Sequence, residues 1–295
     1  MTRAEPAQAA VLAIALAGAA VVFAAAAPAH AQNPTFSSRV DAVRVDVLVT
    51  EDGKPVRGLR PADFEIFDNG VRQRIDFVSF EQMPLNVVFT VDMSDSIEGE
   101  RLANLRDAGH AVLGALKKDD QAALVVFNNQ VVVGPALTSD VSLVRKALDD
   151  AAPRGNTSLV DASFAGMMLA ESDVGRGLVI VFSDGRDTSS WLKANAVVET
   201  AKRSDAVVYG IAAGLTSMEP FLADLTDQTG GRLFTIESTK GLSAVFLEVL
   251  EEFRQRYLLS YSPSGVPQEG WHQLTVRVKG RNAVVRARPG YLAGQ

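Results

Sequence analysis

A chain of 295 residues with 47% hydrophobic and 22% charged residues can bury a sizeable core without covalent staples. Its formal net charge of -6 mixes both signs along the chain and includes no basic tract, which argues against a nucleic-acid-binding protein. Cysteine is absent, which excludes disulfides, thiolate metal sites and thiol catalysis.

The first thirty residues stand apart. Arg3 gives a small positive start, residues 11–27 are an Ala-rich apolar run, and Pro28 breaks it before Ala29-His30-Ala31. This pattern predicts a secretory signal peptide over residues 1–31, cut between Ala31 and Gln32, and therefore an exported protein, periplasmic or extracellular. An uncleaved membrane anchor is the alternative, and the run is short and Ala-rich for that.

Residues 32–83 read as strands. Val40, Val43, Val45, Val47 and Val49 give mostly alternating apolar positions, the period of a half-buried strand. Asp52-Gly53 is a turn by composition, and Asn69-Gly70 is a hairpin signal because both residues tolerate positive φ. Residues 84–256 alternate strand and helix. Residues 85–91 and 178–182 are near-continuous apolar strands, as expected where both faces are covered. Helices are predicted over 99–117, 141–150, 191–203 and 242–254, with others starting near Ser158 and Glu219. Strands are predicted over 121–127, 206–211 and 232–236, and the turn at Asn128-Asn129 sends 130–133 back as one antiparallel edge. This alternation predicts an α/β domain with a doubly wound, mostly parallel, Rossmann-like sheet. Residues 257–295 return to strands, over 257–261, 274–278 and 283–287. Neither flank holds enough strands for a stable sheet alone. The two flanks are therefore expected to pair as one small β-sandwich, with the α/β domain inserted between its halves.

The chemistry-bearing residues follow the two apolar strands. The first strand ends in Val91-Asp92-Met93-Ser94-Asp95-Ser96, the other in Phe182-Ser183-Asp184-Gly185. Ligands of such sheets sit beyond the carboxyl ends of the strands. Asp92 alone is more often a helix cap than a ligand, and Asp184-Gly185 alone is usually a turn. Together they say more. Asp92, Ser94 and Ser96 alternate, so an extended loop turns all three one way. Two carboxylates about 4 Å apart repel by about 4 kcal/mol at an effective dielectric near 20, and a divalent cation between them reverses the sign. Few carboxylates with several hydroxyls suit Mg²⁺ or Mn²⁺ better than Ca²⁺, which takes more oxygens.

Asp-x-Ser-x-Ser after a first apolar strand resembles the metal-ion-dependent adhesion site of von Willebrand factor type A (VWA) domains. Gly155-Asn156-Thr157-Ser158 is similar to the loop that supplies the threonine of that site, and Ser183-Asp184-Gly185 to the loop of its second aspartate. The resemblance spans residues 84–256. It implies direct metal ligation by Ser94 and Ser96, with Thr157 direct or through water, and Asp92 and Asp184 mostly through water. It also implies an open coordination position filled by an Asp or Glu of a partner protein. The flanking strands, with residues 257–263 and the closing Arg288-Pro289-Gly290-Tyr291, are similar to those of exported bacterial relatives.

Other residues near these motifs carry blander expectations. Asp187 reads as a solvated loop residue, and Asp95 as facing solvent or capping the next helix. Asp161 reads as a supporting group or a helix-surface residue. Trp191 and Met93 suit the lining of a partner groove, and Trp191 reads first as packing at a helix start. An enzyme is the main competing class. A phosphatase with an aspartyl nucleophile wants a second Asp where Ser94 stands, and the chain has no Gly-x-Ser-x-Gly elbow and no P-loop. A structural scaffold stiffened by the metal is the third reading. The expectation is a metal-dependent binding module without catalytic residues, small-molecule substrate or nucleic-acid partner.

Overall fold

The computed structural model describes residues 42–80, 83–172, 174–214 and 220–294. The signal peptide expected over residues 1–31 lies outside the described residues. Among the described residues no helix is long and apolar enough to cross a membrane.

The first strands are β1 (Val43–Glu51), β2 (Lys54–Pro55), β3 (Phe64–Asp68), β4 (Val71–Gln73) and β5 (Ile75–Phe80). The tight turns between β1 and β2 and between β3 and β4 use Asp52-Gly53 and Asn69-Gly70. All four residues have positive φ (50°, 73°, 47° and 79°), the twist that a two-residue hairpin requires. There follow β6 (Leu85–Asp92), α1 (Glu100–Ala115), β7 (Gln121–Phe127), β8 (Val131–Val133), α2 (Val141–Asp150), α3 (Leu159–Ala170), β9 (Arg176–Ser183), α4 (Ala194–Ala201), β10 (Val207–Ala213), α5 (Pro220–Thr229), β11 (Leu233–Ile236) and α6 (Leu242–Arg254). The chain closes with β12 (Tyr257–Tyr261), β13 (Gly270–Val278), β14 (Val284–Arg286) and β15 (Gly290–Ala293).

The α/β region holds a six-stranded sheet in the order β11-β10-β9-β6-β7-β8. Its pairings are parallel except that of β7 with the edge strand β8. Every residue of β6, β9 and β10 is buried. Two-residue periodicity shares these strands between two cores. Val87, Phe89 and Val91 pack with α1, α2 and α6 on one face, and Val88 packs with α3, α4 and α5 on the other. Gly166 of α3 lies so close to β6 that a Cβ there would clash with the Thr90 hydroxyl, so the helix needs glycine at that point.

The flanking strands form two further sheets, β14-β1-β12-β5 with β2 beside β1, and β15-β13-β3-β4. Each mixes strands from before and after the α/β region. Val43 to Val47 of β1 run antiparallel to Tyr261 to Tyr257 of β12, and Phe64 to Asp68 of β3 pair with Val278 to Leu274 of β13. One core joins them, with Val45, Val47, Phe64, Ile66, Tyr257, Leu259 and Tyr261 among its members. Within these flanks, Asp68 is fully buried and accepts from the hydroxyls of Tyr261 (2.8 Å) and Tyr291 (2.9 Å). Its other oxygen meets His272 Nδ1 at 2.7 Å. Burial first, and the Asp68 carboxylate as a lesser cause, raise both tyrosine pKa values, so the hydroxyls stay protonated as donors.

Arginines hold the places where the chain passes between the flanks and the α/β region. Asp120 accepts from the backbone N–H of Leu85 at 2.9 Å, where β6 begins. Its second oxygen accepts from Arg254 at 2.7 Å, where α6 ends. Arg256, fully buried, donates to the Tyr209 hydroxyl (3.0 Å) and the Gly230 carbonyl (2.7 Å). Arg176 at the start of β9 grips Asp46 of β1 through two nitrogens, Nε at 2.7 Å, and its guanidinium lies over the Phe253 ring. A buried charge is tolerable when paired and hydrogen-bonded: Asp120 meets Arg254, Asp46 meets Arg176, and Glu252 lies 3.9 Å from Arg256.

Two sequence expectations differ from the structure in detail. The helix expected over 191–203 is shorter, Ala194–Ala201, because the backbone of Trp191 and Leu192 bonds to Asp161 instead of to a helical turn. The last strand, Gly290–Ala293, had no alternating apolar signal and pairs with β13.

Because every flanking sheet needs strands from both chain ends, residues 32–83 expressed alone are expected to stay unfolded. Joining them to residues 257–295 by a short linker is expected to restore cooperative unfolding, read by circular dichroism against urea. Folding of residues 32–83 alone would contradict the pairing as a folding requirement.

Candidate metal site

The parallel pairing of β6 with β9 sets Val91 beside Phe182, so Asp92 and the Ser183-Asp184-Gly185 turn emerge together at the carboxyl end of the sheet. Asp92 is fully buried. Its Oδ1 accepts the Ser94 N–H at 2.8 Å and its Oδ2 accepts the Ser183 hydroxyl at 2.6 Å. Burial pushes its pKa up to about 6, and the hydrogen bonds from Ser183 and Ser94 only partly oppose that. A carboxylate so placed gains from a nearby cation.

The remaining residues continue from Asp92 as one connected group. The hydroxyls of Ser94 and Ser96 are 3.1 Å apart, and Ser96 donates to Asp184 Oδ1 at 2.5 Å. Thr157 stands against the Asp184 turn, since a Cβ added to Gly185 would lie 3.2 Å from its hydroxyl oxygen. The structure thus brings Asp92, Ser94, Ser96, Thr157 and Asp184 together from three loops.

The loops are stitched to each other by bonds that no local sequence pattern announces. Asp95 accepts the Gly155 N–H at 2.8 Å and returns its own N–H to the Gly155 carbonyl at 3.0 Å. Arg154 N donates to the Met93 carbonyl, and Ser158 N to that of Asn128. On the other side, the N–H groups of Thr188 and Ser189 both donate to the Thr157 carbonyl. Asp187 accepts from the Ser190 hydroxyl (2.5 Å) and the Val160 N–H (3.3 Å). Asp161 accepts the N–H groups of Trp191 (2.9 Å) and Leu192 (2.8 Å). Asp187 is therefore not a merely solvated loop residue. It meets the first turn of α3, where an acidic group is favoured by the exposed N–H groups. Trp191 does not pack at a helix start either: it is 94% exposed.

The donor set is hard oxygen: three hydroxyls and two carboxylates. Neighbouring ligands of an octahedral cation with bonds of roughly 2.1 Å lie about 3.0 Å apart, and the Ser94–Ser96 hydroxyl separation of 3.1 Å fits that spacing. Among the described residues no group of three or more His, Cys, Asp or Glu is placed to hold a metal. A surface cleft of about 740 Å³ is lined by Arg44, Ala170, Gly177 and Asp205, at the opposite end of β9 from Asp184. A smaller depression of about 140 Å³ adjoins the site and is lined in part by Arg101, Asp184, Thr239 and Lys240. The connected donors, rather than cleft size, mark the first place to look for ligand chemistry.

Comparison with known proteins agrees with this placement of the fold. Inter-alpha-trypsin inhibitor heavy chain H2 of Mus musculus is 22% identical over 169 residues, covering 52% of this chain and 18% of that protein. Heavy chain H4 of Homo sapiens is 23% identical over 223 residues, covering 69% of this chain and 24% of that protein. The chain thus spans about a fifth to a quarter of the length of these curated relatives. Among solved structures, proximal thread matrix protein 1 of the mussel byssus, with a zinc-occupied MIDAS motif, is similar with a TM-score of 0.53. It shares 17% identity over 63% of this chain and 49% of that one. A von Willebrand factor type A structure from Catenulispora acidiphila is similar with a TM-score of 0.52 and 13% identity, over 78% of this chain and 72% of that one. The family model for the von Willebrand factor type A domain matches residues 86–248. That match covers more than half of the chain, and the protein belongs to the VWA family.

Proposed function

We propose that the protein is an exported, metal-dependent protein-binding module. In this reading Ser94, Ser96 and Thr157 hold Mg²⁺ or Mn²⁺, while Asp92 and Asp184 balance its charge and position the hydroxyls, largely through water. The observation that carries it is the unbroken hydrogen-bonded run from Asp92 through Ser94 and Ser96 to Asp184, with the Thr157 hydroxyl beside it. A cation bound mainly by neutral hydroxyls keeps most of its positive charge, so it gains from one more anionic oxygen. The partner is accordingly a protein that offers an Asp or Glu side chain to the metal. No group here acts as a nucleophile or general base in this reading, which involves no small-molecule substrate and no nucleic acid.

Export rests on the signal-like residues 1–31 and leads to the periplasm or the cell exterior of a bacterium. The domain plan behind the proposal is a VWA domain over residues 84–256, carried by a β-rich support of residues 32–83 and 257–295. The support anchors the domain at the end of the sheet away from Asp92, and Trp191 stays exposed on the same face as the metal loops. Exposed aromatic side chains on rigid loops suit protein recognition.

Two measurements test this. The melting temperature of residues 32–295 is expected to rise by several degrees from EDTA to saturating Mg²⁺ or Mn²⁺. Binding at about 100 times the dissociation constant adds about 2.7 kcal/mol, and Asp92→Ala and Ser94→Ala are expected to lose the shift. A wild-type protein indifferent to both metals would contradict the reading. Asp95→Ala removes the carboxylate that holds the Gly155 turn and hence the Thr157 loop, and is expected to weaken metal binding about tenfold, as loss of a supporting bond does. Unchanged affinity on titration calorimetry would show that the Thr157 loop holds its place without Asp95.

A further inference from the structure

Asp184 already carries a cation supplied by the chain. Arg101, at the second position of α1, donates from Nη1 to Asp184 Oδ2 at 2.6 Å and to the Ser96 carbonyl at 3.3 Å. The other Asp184 oxygen accepts the Ser96 hydroxyl. The Asp184 side chain is only 3% exposed, whereas that of Arg101 is 53% exposed. One end of this ion pair is thus fixed inside the candidate site, and the other lies in reach of solvent and ligand. Neighbouring charges are arranged in a separate pair: Lys240 faces Glu100 at 3.8 Å across the adjoining depression.

We infer that Arg101 is a resident counter-cation of the metal site, one that lowers its affinity for the metal and raises its affinity for an anionic partner. The inference rests on the metal reading above. The charges give the reason. Asp92 and Asp184 together offer two negative charges, and Arg101 cancels one of them. A divalent cation arriving beside Asp184 is either repelled by the guanidinium or must displace it, and both weaken binding. Before any metal arrives, Arg101 provides the charge partner that a buried carboxylate needs. With a divalent cation in place, the metal, the two aspartates and Arg101 sum to one net positive charge. Without Arg101 the same group is neutral. An approaching Asp or Glu is therefore drawn by the whole assembly, not by the metal alone.

Arg101 lies on the exposed side of α1 and outside the hydrophobic core, so substitution there leaves the core packing intact. The test is calorimetric titration of residues 32–295 with Mn²⁺ and with Mg²⁺, for wild type, Arg101→Gln and Arg101→Lys, with circular dichroism as the folding control. Arg101→Gln is expected to bind either metal about tenfold more tightly, the effect of removing one nearby, partly screened positive charge. Arg101→Lys, which keeps the charge, is expected to stay near wild type. In EDTA the Gln variant is expected to melt lower than wild type, and added metal to close that gap. Metal uptake by wild type with equal or weaker uptake by the Gln variant would overturn the inference and leave the metal site standing. No uptake by any of the three chains at millimolar metal would remove the metal reading and this inference together.

Discussion

The parallel pairing of β6 with β9 is the constraint on which the rest depends. Both strands are buried along their whole length and mostly apolar, with Asn86 and Thr90 the polar residues inside β6, so the change from apolar to charged and polar groups comes mainly at the strand ends. The register between them decides where that change occurs. It puts Asp92 within 2.6 Å of the Ser183 hydroxyl and lets Asp184 reach the Ser96 hydroxyl. A slip of one residue would turn every side chain to the other face and separate these groups. The helices that cover the two faces make such a slip costly, because Val88 and Phe89 belong to different cores.

The same sheet explains how the domain is held. The loops with Asp92, Ser94, Ser96 and Asp184 leave the carboxyl ends of the strands, while the chain enters and leaves the domain at the other end. There Asp120 clasps the start of β6 to the end of α6, and Arg176 ties β9 to Asp46 of the flanking strands. Buried ion pairs thus hold the domain to its support. The opposite face is built of loops whose rigidity comes from hydrogen bonds between them. That division suits a recognition site, which needs exposed groups held by a scaffold that does not share the exposure.

Much of this was readable in the sequence, and the exceptions have a common cause. The strand–helix alternation, the antiparallel edge at Val131–Val133 and the β-rich flanks followed from periods of two and of 3.6 residues. Asp92, Ser94, Ser96 and Asp184 stand just past apolar strands, whereas Thr157 came only from the resemblance of its loop to that of VWA domains. What escaped were interactions across long sequence separations. Asp95 with Gly155 and Asp161 with Trp191 join loops 60 and 30 residues apart, and no periodicity reports such a bond. Arg101 escaped for a related reason: in sequence it is one of many charges on an exposed helix face, and only the fold sets it on Asp184. Trp191 misled in the other direction, since a tryptophan near a helical stretch is usually packed, and this one is held outward by its own backbone bonds.

The most direct test of the central claim is crystallography of residues 32–295 soaked in Mn²⁺, with data collected for manganese anomalous scattering. The account predicts an anomalous peak among the hydroxyl oxygens of Ser94, Ser96 and Thr157, with Asp92 and Asp184 in the surrounding shell. A peak at any other group of residues, or none while those hydroxyls remain accessible, would contradict it.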